Sequence, residues 1–262
     1  MRTIRCQLAA VLFAISTLLT PVWATSFSTD QSDLWYVQSE SGWGMQLVQR
    51  AEVIFATLFV YDSNAMPIWY VATLRPRTTD LVWSGDLYLT TGPWFGSYFD
   101  PTRVGYRKVG TMKWYGTLIE EGVVEYSVDG VEVAKTVVRQ LLVYDDYNGT
   151  YVGAVRTTNT GCFNPANDGS DTSIATIRVI QSGQSVSVSF VRGTETVTIN
   201  GMLTQGGQFG RVDGTFNTSA GDAGNFVLVE INGQHTFWTA RFGATSFSTG
   251  CQMIGYLGGI RQ

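Results

Sequence analysis

SVSVSFVRGTETVTING, residues 185–201, alternates polar and apolar side chains on either side of a glycine-containing turn. Val186, Val188 and Phe190 share one parity in the first half, against Ser187 and Ser189, and Val197 and Ile199 share one parity in the second. Successive side chains of a strand point to opposite faces, so each half predicts a β-strand with one buried face. The turn at Gly193 makes the pair a predicted β-hairpin.

The same rhythm runs through the second half of the chain. Turn residues interrupt the apolar alternation at short intervals, and no segment after residue 25 keeps helical spacing for three turns. Eight strands joined by short turns are what a small up-and-down barrel of the lipocalin or avidin style requires. The predicted strands of this half are 149–157, 173–181, 184–191, 195–203, 208–217, 224–231, 235–243 and 251–260.

The first half also shows eight apolar segments. Asp62-Ser63-Asn64 and Asp129-Gly130 predict hairpin turns between some of them. The predicted fold class is therefore all-β, with two tandem antiparallel β-meanders, although a two-sheet sandwich fits the first set of strands equally well. The predicted strands of this half are 33–38, 42–49, 52–61, 66–75, 80–89, 104–115, 122–128 and 131–142.

Residues 1–24 have the pattern of an export signal. Arg2 and Arg5 precede an apolar run from Leu8 to Leu19, and Ala24 offers a small residue for cleavage. The run is too short to span a bilayer. We expect the mature chain to begin at Thr25 and to be periplasmic or extracellular.

Composition divides the remaining chain into two parts. Six of the eight tryptophans lie between Trp35 and Trp114, whereas the last part of the chain is rich in glycine, serine and threonine. An Asn-Gly pair within Asp145–Gly149 separates two apolar runs. The sequence therefore predicts an aromatic-rich β domain over 25–145 and a second β-barrel domain over 146–262.

Two cysteines remain after the predicted signal, Cys162 and Cys251. An even pair in an exported chain favours a disulfide. Cys162 follows the first predicted strand of the second half and Cys251 begins the last. These strands are neighbours only if the meander closes, since the Cα atoms of a disulfide must lie within about 7 Å. The disulfide and the closed barrel are therefore predicted together.

Charge and motifs exclude several classes of function. The formal net charge is −4 and no basic stripe is present, so neither nucleic acid nor membrane insertion is expected. The single histidine, His235, lies beside the predicted turn at Asn232-Gly233. No phosphate loop, nucleophile motif or metal-ligand cluster occurs, and we expect no cofactor.

Aromatic residues of the first half are the strongest indication of a binding site. Aromatic faces stack on sugar rings and fill apolar pockets, although the same rings could simply fill a barrel. The segment TTGPWFGSYFDP, residues 90–101, predicts a long loop that leaves its rings exposed. The predicted ligand-binding residues are Trp35, Trp43, Trp69, Tyr70, Trp83, Trp94, Phe95 and Tyr98.

Two further features of the first half affect this prediction. Gly42 and Gly44 leave room for Trp43 to lie across a neighbouring strand. The strand at 52–61 is apolar at both parities, so it predicts cover on both faces. The cover could be the second domain, a bound molecule, or another copy of the chain in a homo-oligomer.

The alternative function is a glycan-cleaving hydrolase. Glycosidases use two carboxylates across a sugar cleft, about 5 to 9 Å apart. Glu40 and Asp86 lie among the aromatic residues of the first half and are the candidate pair. Both residues also suit a simpler role, Glu40 in a turn and Asp86 on a solvated strand face.

Distinct short motifs occur in both halves of the chain. The first half contains ESGWG (40–44), FxxxFxYD (55–62), PxWY (67–70), SGDLY (84–88), TTGPWFG (90–96), VGTM (109–112) and YSVDGVEVAKTVVRQ (126–140). The second half contains GTYVGAVRTTNTGCFNPANDG (149–169), QxGxxG (205–210) and GCxxxGxxGGxR (250–261). Together these motifs resemble a secreted bacterial repeat family of proteobacterial exported proteins, followed by the family's usual C-terminal domain. The resemblance implies export and a β-rich architecture in two parts, and it implies no reaction.

Together these patterns predict an exported, non-catalytic binding or interaction module. The predicted ligand is a small apolar or glycan-like molecule that is recognised by the aromatic residues of the first domain. A purely structural self-association domain, with strand 52–61 as the contact, is the third hypothesis.

Overall fold

The structure is a computed structural model that describes residues 29–77, 82–116 and 119–262. The chain forms two antiparallel closed barrels in tandem, each of eight strands. The predicted all-β fold class is thus confirmed, and the first half is a barrel and not a sandwich. The predicted export signal at 1–24 lies outside the described residues.

The first barrel follows the predicted order of strands, and each strand pairs with the next along the chain. A short 3-10 helix, Pro101–Arg103, lies in the long connection between the fifth and sixth strands. The strands are β1 (Asp33–Tyr36), β2 (Gly44–Arg50), β3 (Val53–Tyr61), β4 (Pro67–Arg77), β5 (Val82–Thr91), β6 (Gly105–Tyr115), β7 (Glu121–Val128) and β8 (Val131–Arg139).

The second barrel has longer strands and the same meander order. A second 3-10 helix, Pro165–Asn167, follows its first strand. The strands are β9 (Gly149–Thr160), β10 (Gly169–Ser182), β11 (Ser185–Arg192), β12 (Glu195–Gly206), β13 (Phe209–Thr218), β14 (Ala223–Gln234), β15 (Phe237–Ser246) and β16 (Gln252–Arg261).

The β11–β12 hairpin has the predicted turn and the predicted buried faces. Ser185 lies opposite Met202, and Arg192 lies opposite Glu195 across the turn. Val188 and Ile199 are opposite one another and fully buried. The period-two alternation therefore places one face in the core and leaves the other in water.

Closure of the second barrel is extensive. β16 pairs with β9 over ten residues, from Gln252 opposite Thr160 to Arg261 opposite Tyr151. Cys162 and Cys251 form a disulfide at the end of this seam, with their Cα atoms 4.0 Å apart. The prediction that closure and disulfide occur together is confirmed.

Closure of the first barrel is much shorter. β1 and β8 share two register pairs, Trp35 opposite Arg139 and Tyr36 opposite Val138. The Arg139 side chain is fully buried and donates to the carbonyls of Asp30, Ser32 and Ile119, and to the Asp33 carboxylate. The closing strand therefore depends on a buried cation whose donors are met mainly by backbone.

The same arginine lies where the two barrels meet. Its guanidinium lies 4.4 Å from the centroid of the Trp35 ring and 5.0 Å from that of Phe209 in the second barrel. Asp33 also accepts from the backbone N–H of Gln208 at 3.0 Å. Burial lowers the pKa of Arg139, and the hydrogen bond to Asp33 opposes this shift. The β12–β13 turn of the second barrel is thus held against the end of the first.

The segment between the barrels closes the adjoining end of the second one. Tyr147 is buried and lies over the backbone of Gly210 and Gly233, where a Cβ would come within 2.7 Å of its ring or hydroxyl. Its hydroxyl donates to Asp145 at 3.2 Å, and its backbone N–H donates to the Gln181 side chain. Burial raises the pKa of both Tyr147 and Asp145.

The meander order assigns the remaining ends. The first barrel's free end carries the loops after β1, β3, β5 and β7, and the second barrel's free end carries the loops after β9, β11, β13 and β15. The disulfide lies at the second of these ends. Each barrel therefore presents one end to its neighbour and one end to solvent.

We expect replacement of both cysteines, Cys162→Ser with Cys251→Ser, to lower the free energy of unfolding by about 2–4 kcal/mol, because the unfolded chain loses a crosslink across a long loop. Urea denaturation of the oxidised protein and of the variant measures the difference. Two free thiols in the unreduced protein by mass spectrometry would contradict the bridged structure.

Arg139→Met should lower the free energy of unfolding by about 3–5 kcal/mol, because it leaves the mostly buried Asp33 carboxylate and several carbonyls without their donor. Arg107→Met is the matched control, since Arg107 pairs with Asp129 on the surface, where both side chains are more than half exposed. The control should change stability little. Equal effects of the two substitutions in urea denaturation would refute the role given to Arg139.

Candidate functional site

The interior of the first barrel is filled by side chains. Trp35 and Trp114 meet edge to face, with centroids 4.6 Å apart, and both donate their indole N–H to Gln31. Trp83 is 2% exposed and Tyr70 is 8% exposed. Trp35, Tyr70 and Trp83 therefore belong to the core. They fill the barrel, as the alternative interpretation had it, and the prediction that they form a ligand-binding surface is wrong.

Trp43 also turns inward, at the free end of the barrel. It packs against the core and donates its indole N–H to the Tyr126 hydroxyl at 3.1 Å. The Lys135 ammonium lies 5.5 Å from its ring centroid and pairs with Glu40. Trp43 thus contacts side chains of β7 and β8 and packs against the core.

The aromatic ring that lies against Gly42 is that of Tyr61. A Cβ on Gly42 would come within 2.6 Å of the Tyr61 hydroxyl, and the backbone φ of Gly42 is +93°. The glycine is thus required both by the turn and by the ring that lies against it.

Exposed rings gather instead on the outer wall of β3 to β6. Phe59 lies opposite Trp69, and Tyr88 contacts Tyr106 with ring centroids 6.0 Å apart. Neighbouring strands bring such side chains within about 5 Å of one another at Cβ. We call this surface the outer aromatic face, and it comprises Phe55, Phe59, Trp69, Tyr88 and Tyr106.

The outer aromatic face is not covered by the second barrel. Phe55 is 47% exposed, Phe59 44% and Trp69 55%. Of the three covers expected for strand 52–61, the second domain is therefore excluded. The alternation along β3 explains why Phe55 and Phe59 are exposed, because Ile54, Ala56 and Leu58 at the alternate positions point into the core.

Polar side chains lie among these rings. Asp86 pairs with Lys108 at 2.8 Å on the same wall and lies 3.4 Å from the Tyr88 hydroxyl. Phe55, Thr73, Arg75, Asp86 and Tyr88 line a shallow groove of about 390 Å³, together with Val71 and Ala72. Gly85, next to Asp86 in the chain, lies so close to the carbonyl of Thr73 that a Cβ at this position would collide with it. The surface combines apolar ring faces with donors and acceptors.

The loop between β5 and β6 carries a second set of exposed rings. Trp94 is 67% exposed, Phe95 95% and Tyr98 91%. The loop has a defined shape, since Ser97 donates to the carbonyl of Trp94, and Asp100 accepts from the backbone N–H of Thr102 at the start of the 3-10 helix. The predicted exposure of this loop is confirmed.

The two candidate catalytic carboxylates do not share a cleft. Glu40 lies in the turn before β2, where it pairs with the inward-pointing Lys135. Asp86 lies on the outer wall of β5 beside Lys108. Each carboxylate is thus paired with its own lysine, and the groove that Asp86 lines does not include Glu40.

The described part of the chain was also expected to hold no metal site, and its single histidine was expected in a turn. No group of three or more histidine, cysteine, aspartate or glutamate side chains is arranged for a metal among the described residues. His235 lies in the exposed turn between β14 and β15. Among residues 29–77, 82–116 and 119–262, no helix is long and apolar enough to cross a bilayer.

Comparisons with models of protein families, with curated proteins and with solved structures gave no match for this chain. The family resemblance inferred from the motifs therefore stays a prediction. What is established is the class of fold, a tandem of two small antiparallel barrels with one disulfide.

The structure thus keeps Trp69, Trp94, Phe95 and Tyr98 as surface candidates and adds rings that were not selected from the sequence. Phe55 and Phe59 could have been found, because they share a parity with Tyr61 in a strand whose other parity is more aliphatic. Tyr88 and Tyr106 gave no such signal, since their contact joins β5 to β6 across the long loop.

We expect brief oxidation with N-bromosuccinimide to modify Trp69 and Trp94 before Trp35, Trp83, Trp114 and Trp238, because the last four are at most 2% exposed. Peptide mass spectrometry at increasing reagent ratios gives the order. Oxidation of Trp83 as fast as Trp94 in the folded protein would show that the barrel interior is open.

Proposed function

We propose that this protein is an exported carbohydrate-binding module whose first barrel recognises a glycan through the outer aromatic face. The observation that carries the proposal is the row of half-exposed rings on β3 to β6, interleaved with ionised and hydroxyl side chains. The disulfide supports an oxidising compartment, and thus the periplasm or the cell exterior.

Sugar chemistry fits this surface better than a purely apolar ligand does. A pyranose ring presents a C–H face that stacks on an aromatic side chain, and hydroxyls that need partners in the same plane. Trp69 and Phe59 offer ring faces, and the neighbouring groove offers Arg75 and Asp86. An apolar ligand would desolvate these charged groups and offer them no hydrogen-bond partner of its own.

The surface is a wall and not a closed pocket, which favours a polymer over a single small sugar. Rings on successive strands can contact successive residues of a chain, and no part of the glycan has to enter the barrel. The loop with Trp94, Phe95 and Tyr98 leaves β5 at the same end as Trp69 and could extend the surface.

Binding should be lost in Trp69→Ser, because the ring supplies a stacking face while its side chain is more than half exposed and contributes little to the core. We expect at least about a tenfold weaker affinity. Affinity electrophoresis in gels with hydroxyethylcellulose, xylan, laminarin or dextran measures it. Phe247→Ser is the control, since Phe247 is 62% exposed in the second barrel.

The proposal would be contradicted if none of these polysaccharides retarded the wild-type protein. It would also be contradicted if the wild type and Trp69→Ser were retarded equally. Release of reducing ends that is lost in Glu40→Gln would favour the hydrolase instead. Concentration-dependent sedimentation that is abolished by Phe55→Ser would assign the same wall to self-association.

A further inference from the structure

The free end of the second barrel contains a small cavity that is separate from the outer aromatic face. Its volume is about 60 Å³. The residues around it come from most strands of the barrel, which places it on the axis of the sheet. They include Thr157, Arg192, Glu195, Asp222, Phe242 and Met253.

Three phenylalanine rings form one wall of this cavity. Phe226 stacks on Phe242 with centroids 5.2 Å apart, and Phe216 meets Phe226 edge to face at 6.2 Å. Two glycines hold the outer rings against the sheet, since a Cβ on Gly224 or Gly255 would come within 2.6 Å of Phe216 or Phe242 respectively. The rings therefore lie along the wall and leave space beside them.

The rim of the cavity is polar and acidic. Arg192 and Glu195 are the last inward-facing residues of β11 and the first of β12, and their closest atoms lie 3.5 Å apart. The Asp222 Oδ1 accepts from Ser246 Oγ, Ser248 Oγ and the backbone N–H of Ala223, which orients the carboxylate. Two carboxylates face one guanidinium, so the rim carries a net negative charge.

We propose that this cavity binds the alkyl end of a small amine, with the ammonium group held at the acidic rim. The walls below the rim are apolar and favour a hydrocarbon, while Glu195 and Asp222 favour a cation over an anion. Asp168, which accepts from the backbone N–H of Cys162, adds a further acidic side chain to the loops at this end.

The size of the cavity selects the shape of the apolar group. An engineered cavity of about 150 Å³ admits benzene, and this one is less than half as large. A narrow alkyl end therefore fits, whereas an aromatic ring requires the phenylalanines to move.

Methionine methyl NMR of the intact protein tests the site without any substitution. Met253 lines the cavity, whereas Met45 and Met112 are fully buried in the first barrel and serve as internal references. On titration with n-alkylamines from propyl to octyl, the Met253 methyl signal should shift and saturate while the references stay. Affinity should rise by about fourfold per methylene until the cavity is filled.

Probes of equal length separate the contributions of the rim and the wall. The n-alkyl carboxylates should bind at least about tenfold more weakly than the amines, since the rim repels them. The n-alkyl alcohols of the same length serve as uncharged probes. Asp222→Asn keeps the Oδ1 acceptor and removes the charge, so it should weaken the binding of the amines and leave the binding of the alcohols unchanged. Thr157→Leu adds carbon to the cavity wall and should weaken both.

Equal binding of amines, alcohols and carboxylates, or an unshifted Met253 signal with saturating octylamine, would overturn the proposal. Because the wild-type titration stands by itself, misfolding of Thr157→Leu would not remove the test. The outcome is also independent of the glycan proposal, which concerns the other barrel.

Discussion

The buried guanidinium of Arg139 is the contact on which the arrangement of the chain depends. It closes the first barrel opposite Trp35, since β1 is only four residues long and reaches β8 through two register pairs. It also stacks on Phe209 and shares Asp33 with Gln208, so the same ion joins the second barrel to the first. A cation removed from water is stable only where its donors are met, and here backbone carbonyls meet most of them.

This junction determines which surfaces of the two barrels stay accessible to a ligand. One end of each barrel is occupied, by Gln31 beneath Trp35 and Trp114 in the first and by Tyr147 in the second. The interior of the first barrel is filled with indole rings, so its surface chemistry is confined to the outer wall and the free end. The second barrel is lined mainly by smaller side chains and by rings drawn toward glycines, and a cavity remains at its free end.

Strand positions, hairpin turns and the order of pairing were predictable because they depend on local patterns. Alternation sets the faces of β11 and β12, and Asp129-Gly130 adopts the positive φ values that a two-residue hairpin needs. The candidate site was only partly predictable. Trp83 and Trp94 are the same residue type eleven positions apart, yet one is core and the other exposed, because only Trp94 lies in the long loop between β5 and β6.

By itself, the sequence determined the strand positions and hairpin turns of two sets of eight strands, and it tied the Cys162–Cys251 disulfide to closure of the second set, since only a closed sheet makes its first and last strands neighbours. Only the tertiary structure decided which parity of the doubly apolar β3 faces water, that Arg139 serves both barrels, and that Phe216, Phe226 and Phe242 border a cavity. These outcomes depend on the curvature of the closed sheet and on contacts between residues distant in the chain, which no local pattern records.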